Sequence, residues 1–220
     1  MTRHLVFAIT VLVLATTLIA ITGADLKISS LFCINGAWPV GDQFFWHLLY
    51  QLDRIPSIAL GVSGLIAALY GYYQPSAASW RKKGVFLLLL LILGPGVLTN
   101  VIFKEYWGRP RPREIIQFSG AKQFLQPWQR GIPHNGRSFP SGHSSAAFYM
   151  AAPYFIFRNE KRKIALLWLA GGMIFGILMS IARIAQGGHF LSDCLWAWGV
   201  VYLCAIALYS GLKLNKHEIS

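Results

Sequence analysis

Six apolar runs, most of them about the length of a membrane crossing, constrain the fold of this chain more than any other feature. They lie at about 5–23, 55–73, 85–103, 142–157, 164–182 and 190–211. Crossing the hydrocarbon layer takes roughly 20 helical residues, and a helix satisfies its own backbone hydrogen bonds where no water is present. The predicted fold is therefore all-α: a polytopic membrane bundle of six transmembrane helices, residues 1–220 forming a single domain. The run at 142–157 is short and needs flanking residues to complete a crossing. Charged residues make up only 13% of the chain, against about 25% in soluble domains. With 55% hydrophobic residues, the chain is also far too apolar to be disordered. It shows no internal repeat and no low-complexity segment.

The first run follows Arg3 and His4 and could be read as a signal peptide, with Thr22, Gly23 and Ala24 small enough for cleavage. It is longer than the roughly 7–15 residues of a signal core and long enough to span, so an uncleaved first helix is expected. Basic residues in short loops mark the cytoplasmic side. With the N-terminus inside, the inner segments carry Arg3, then Arg81, Lys82 and Lys83, then Arg158, Lys161, Arg162 and Lys163, then Lys213 and Lys216. The C-terminus is then cytoplasmic too. One outer loop breaks the pattern: Lys104, Arg109, Arg111, Arg113, Lys122, Arg130 and Arg137 face only Glu105 and Glu114. Seven outer cations serve an anionic ligand better than they serve topology. The net charge of +12 does not imply nucleic-acid binding, because the basic residues are divided by long apolar runs and form no continuous face. Segment 24–54 is an outer connection, and its aromatic stretch Phe44, Phe45, Trp46 and His47 suits a helix lying in the interface. Cys33, Cys194 and Cys204 form neither a disulfide framework nor a metal pattern.

Three blocks carry chemistry. In the first, Lys104 to Pro112, Arg109 and Arg111 alternate with Pro110 and Pro112. The prolines keep the backbone extended, and guanidinium groups grip phosphate oxygens bidentately. An interfacial cluster attracted to headgroups is the alternative. The second block runs from Arg137 to Ser145. Ser141 caps a helix beginning at Gly142, whose free N–H groups make an anion site, and His143 stands in its first turn, able to exchange a proton near neutral pH. The third runs from Arg183 to Asp193. Asp193 is an intramembrane carboxylate, costly unless functional, and His189 precedes it by four residues on the same helical face. A carboxylate beside one ring nitrogen fixes the tautomer and leaves the other nitrogen as nucleophile or base; a purely structural pair is the alternative. His4 and His217 fall at cytoplasmic ends, and no spacing recruits His47 or His134. All three blocks fall on the same side of the six-span topology.

These motifs resemble the type 2 phosphatidic acid phosphatase family: Lys104 with Arg111 and Pro112, then Pro140, Ser141, Gly142 and His143, then Arg183, His189 and Asp193 at both internal spacings. Ala182 replaces the serine that usually precedes the arginine, so that hydroxyl contact is lost. The resemblance implies metal-independent hydrolysis with no cofactor. His189 attacks phosphorus and becomes phosphohistidine, Asp193 orients it and balances its charge, and His143 protonates the departing oxygen. Lys104, Arg111, Arg183, Ser141 and the Gly142 N–H hold the phosphoryl oxygens. Arg109, Arg113 and Arg137 are candidate contacts to a substrate with further anionic groups.

The runs 107–112 and 186–193 look like the bacterial branch containing lipid A 1-phosphatases. Expected partners are a bilayer and a phospholipid or lipid A substrate, at the periplasmic face of a bacterial inner membrane. Phosphatidylglycerophosphate and undecaprenyl diphosphate phosphatases and lipid phosphotransferases share the scaffold. An anion or lipid transporter is the rival from another class, but transporters place their sites near the midplane, often between repeats.

Overall fold

The computed structural model describes residues 2–52 and 54–214. Lys216 and His217, assigned above to the cytoplasmic end, lie outside them. No strand forms among the described residues. Helix α1 covers Thr2–Thr22, α2 Ala24–Ser30, α3 Phe44–Gln51 and α4 Arg54–Tyr73. Helix α5, Ala78–Leu91, continues through π-helical turns at Ile92–Phe103 into α6, Lys104–Tyr106. Then come α7 (Gly142–Tyr149), α8 (Pro153–Phe157), α9 (Arg162–Ala185) and α10 (Leu191–Gly211).

Five stretches among the described residues are long and apolar enough to cross a membrane: Arg3–Thr22, Phe44–Tyr73, Pro75–Tyr106, Arg162–Ala185 and Leu191–Gly211. Each contains one expected run nearly whole. The run at 142–157 departs from expectation. It forms two short helices, of 8 and 5 residues, on either side of a turn at 150–152. Pro153 has no N–H for the α-helical ladder and opens α8 instead. Every residue of α7 except His143 is buried, against α4, α9, α10 and the π-helical segment. A helix wrapped in protein needs no uninterrupted apolar length.

Small residues let the long helices approach. A Cβ on Gly84 would lie 2.3 Å from the Gly64 carbonyl oxygen, so α4 and α5 meet backbone to backbone. One end of the bundle is filled by Phe86, Leu90, Tyr149, Phe155, Val201 and Tyr209. That end also gathers the basic segments: His4 Nε2 lies 3.1 Å from Arg158, Lys83 pairs with Glu160 at 3.0 Å, and Asn159 donates to the Tyr209 hydroxyl at 3.1 Å. The opposite end holds the three blocks, roofed by Trp38, Ile115, Phe118 and Phe190. The aromatic stretch of segment 24–54 is α3, with none of its residues buried.

Candidate active site

Lys104 enters the site from the end of the π-helical segment. Pro95 inside this segment cannot donate to the preceding turn, and Asn100 Nδ2 donates to the Pro95 carbonyl at 2.7 Å. Lys104 in turn donates to Asn100 Oδ1 at 3.0 Å and is buried. The ammonium reaches the N-terminus of α7, where a Cβ on Gly142 would stand 3.0 Å from Lys104 Nζ and 2.5 Å from Asn100 Oδ1. Glycine is what permits this approach. Ser141 caps α7 by accepting from the Ser144 N–H at 3.3 Å, and its own N–H donates to the Asp193 carbonyl at 3.1 Å, tying the second block to the third.

Arg183 closes α9. Its guanidinium lies 4.7 Å from the centre of the Tyr50 ring, donates to Gln186 Oε1 and fills the space beside Gly188. The same Tyr50 ring sits 4.9 Å from the His143 imidazole, so α3 bridges the second and third blocks. The Nε atoms of Arg111 and Arg183 are both buried with no protein acceptor among the described residues, as expected of donors kept for an anionic ligand. Burial depresses the Arg111 pKa, helped by neighbouring Arg113 and Arg137 and opposed by Glu114.

His189 is 1% exposed. Its Nδ1 lies 2.6 Å from the Ser138 carbonyl oxygen. A carbonyl only accepts, so Nδ1 carries the proton and Nε2 has the free lone pair. The Asp193 carboxylate is farther, 3.8 Å from Nδ1. The expected arrangement is thus modified: the nearest group fixing the tautomer is a backbone carbonyl, with Asp193 behind it. Burial pushes the His189 pKa down to about 4, with Arg183 and Lys104 adding to the shift and Asp193 opposing it. The ring is neutral at pH 7.

Asp193 accepts from Arg109 NH1 at 2.5 Å, Ser138 Oγ at 2.6 Å and the Phe190 N–H at 2.7 Å. This corrects the expectation for Arg109. The residue is 0% exposed, and its Nε donates to the Leu125 carbonyl at 2.9 Å. Its NH1 also donates to Ser192 Oγ at 2.8 Å, and its NH2 to Asp25 Oδ2 at 2.8 Å. Phe190 and Phe124 rings lie 4.6 and 5.6 Å from the guanidinium. Arg109 has no surface left for substrate. Arg113 is exposed, and Arg137 pairs with Glu105 at 2.5 Å while half exposed.

Lys104, Arg137, Gly142 and His143 share a groove of about 740 Å³ with Arg54, Ser57 and Asn100. The rest of its lining is largely apolar, with Ile58, Leu91, Ile92, Pro95, Val97 and Val101. Sequence reasoning missed Asp25, Tyr50, Asn100, Ser138 and Ser192. Ser138 and Ser192 lay within the quoted blocks, whereas Asp25 and Tyr50 carried no spacing signal.

Residues 84–216 match the PAP2 superfamily. A lipid A 4′-phosphatase of Francisella tularensis subsp. novicida is 33% identical over 63% of this chain; the chain spans 62% of that relative's length. A lipid A 4′-phosphatase of Rhizobium etli is 31% identical over 90% of the chain and 83% of the relative. Phosphatidylglycerophosphatase B of Bacillus subtilis is 30% identical over 62% of each. The crystal structure of a transmembrane PAP2-type phosphatidylglycerolphosphate phosphatase from Bacillus subtilis covers 98% of both chains, with a TM-score of 0.60 at 20% identity. The chain belongs to the PAP2 superfamily.

Proposed function

We propose that the chain removes a phosphate group from a membrane lipid by way of phosphohistidine, without a metal ion. The observation that carries this reading is His189: buried, neutral, with Nδ1–H held by a carbonyl and Nε2 unprotonated. Nε2 attacks phosphorus, forming a P–N bond as the P–O bond to the lipid breaks. His143 gives a proton to the departing oxygen, then takes one from the water that cleaves the P–N bond and frees inorganic phosphate. Lys104, Arg111 and Arg183, with Ser141 and the Gly142 N–H, bind the phosphoryl oxygens as charge builds on them. Asp193 offsets the positive charge of the phosphorylated ring. These cations supply the charge stabilisation that a metal supplies elsewhere.

For the substrate we propose a lipid A phosphate. The lipid A 4′-phosphatases among the relatives favour the 4′-phosphate over the 1-phosphate expected from the motifs. Phosphatidylglycerophosphate is the second reading, favoured by the Bacillus subtilis relative. The apolar lining that the groove combines with Lys104 and His143 suits acyl chains. Arg113 and Arg137 remain candidates for a second anionic group, Arg137 through exchange of Glu105. In the membrane, α7 and α8 together make the sixth crossing, the end with the basic segments faces the cytoplasm, and the site faces the periplasm of a bacterial inner membrane.

The test is phosphate release by purified protein in detergent with EDTA, on lipid A phosphorylated at either position, phosphatidylglycerophosphate, undecaprenyl diphosphate and phosphatidic acid. Release from lipid A, lost in His189→Ala, is expected. Release that survives His189→Ala would refute the mechanism, and equal rates on all five lipids would refute the substrate assignment.

A further inference from the structure

Asp25 lies just after the first helix, outside the residues that match the superfamily. A lone acidic residue there would ordinarily sit in solvent, yet Asp25 is 2% exposed. It accepts three hydrogen bonds, from Ser192 N–H at 2.9 Å, Ser192 Oγ at 2.6 Å and Arg109 NH2 at 2.8 Å. Through Ser192 it grips the first turn of α10, the turn that also carries Asp193. Through Arg109 it holds the guanidinium whose other branch donates to Asp193 Oδ1.

We infer that Asp25 is a positioning residue for the phosphatase reaction, acting through Arg109 and Ser192 to hold Asp193 and keep its charge available to His189. This rests on the function proposed above.

Arg109 is a fully buried cation between two buried carboxylates. With Asp25 in place, the three groups carry one net negative charge, directed at the imidazole that becomes positive on phosphorylation. Without Asp25, the guanidinium charge is balanced by Asp193 alone, and the network is neutral where the reaction needs an anion. Asp193 Oδ1 faces Arg109, and Oδ2 faces Ser138 and the Phe190 N–H. Ser138 also supplies the carbonyl that accepts from His189 Nδ1. A shift of Arg109 therefore reaches the nucleophile through Asp193 and Ser138. Asp25 itself touches neither His189 nor the groove, so its loss should slow the chemical step and leave lipid binding in place. On this view the α1–α2 corner belongs to the catalytic apparatus as well as to the membrane anchor.

The experiment measures kcat and KM for lipid phosphate release by the full chain in detergent, with Asp25→Asn, Asp25→Glu and His189→Ala beside wild type. Loss of release in His189→Ala checks the underlying reading independently. Asp25→Asn is expected to lower kcat roughly 10- to 100-fold with KM within about twofold of wild type. Asp25→Glu, which restores the anion, is expected to recover most of the kcat. Wild-type kcat in Asp25→Asn, or a loss confined to KM, overturns the inference. So does an Asp25→Glu variant that folds yet is as slow as Asp25→Asn. Where Asp25→Asn fails to fold, Ser192→Ala replaces it, removing the hydroxyl shared by Asp25 and Arg109 without changing charge. A fall in kcat at constant KM supports the inference, and wild-type kcat overturns it.

Discussion

Replacing Arg109 by leucine separates a structural arginine from a substrate-binding one. The wild-type side chain makes four hydrogen bonds, to the Leu125 carbonyl, Ser192 Oγ, Asp193 and Asp25. It is wholly buried. Leucine fills much of the volume between Phe124 and Phe190 but provides no donor. Two buried carboxylates then lose their shared cation, Asp25 keeping its two bonds from Ser192 and Asp193 its bonds from Ser138 and Phe190. Breaking a buried ion pair by removing one partner costs about 3–5 kcal/mol. For a chain of this length that corresponds to a fall of roughly 10 °C in Tm. Intrinsic fluorescence melting in detergent, aided by the tryptophans, reads this directly. Arg113→Leu is the control: Arg113 is exposed and should melt with wild type. An Arg109→Leu protein as stable as wild type, with a raised KM, would refute the buried-brace reasoning and return Arg109 to the substrate.

Gly142→Ala places a Cβ 2.5 Å from Asn100 Oδ1 and 3.0 Å from Lys104 Nζ, displacing the ammonium; kcat/KM for phosphate release should fall at least about tenfold, and an unchanged value would remove Lys104 from the phosphate site. Tyr50→Leu removes the ring that faces both Arg183 and His143. With about 1 kcal/mol from the cation–π contact, steady-state kinetics should show roughly a fivefold loss that Tyr50→Phe largely spares. The buried His189 has a pKa of about 4 against 6.5 in model peptides, so below pH 6.5 the unfolded chain takes up its proton first. The stability that neutral His189 confers is complete above pH 6.5 and drains away as pH falls to about 4. Melting scans across that window should show His189→Gln losing less Tm than wild type, and parallel slopes would contradict the assignment.

What the sequence made legible was the set of positions, because fixed spacings survive any detail of packing. Ser141 does cap a helix beginning at Gly142, and Lys104, Gly142, Arg183 and His189 come to one end of the bundle. The five long apolar helices were legible for the same reason that any apolar run of spanning length is: lipid leaves the backbone few alternatives. The division of the run at 142–157 into two short helices was not legible, because hydropathy does not distinguish a helix facing lipid from one enclosed by other helices. The alternation of Arg109 and Arg111 with prolines gave no sign that one arginine is wholly buried and fully bonded while the other keeps a buried Nε with no acceptor among the described residues. That choice depends on Asp25, some 80 residues earlier in the chain and without a motif of its own. The Ser138 carbonyl that holds His189 was invisible in principle, since a backbone acceptor has no residue signature.

A phosphoryl group carried on His189 is open to direct trapping. The purified protein is mixed briefly with a lipid radiolabelled in its phosphate, quenched in alkali, where phosphohistidine survives, and mapped by peptide. Label is expected on the peptide containing His189, absent from His189→Ala and slow to appear in His143→Ala, which lacks the acid for the departing oxygen. Phosphate release with label on no peptide, or on a different residue, would contradict the account.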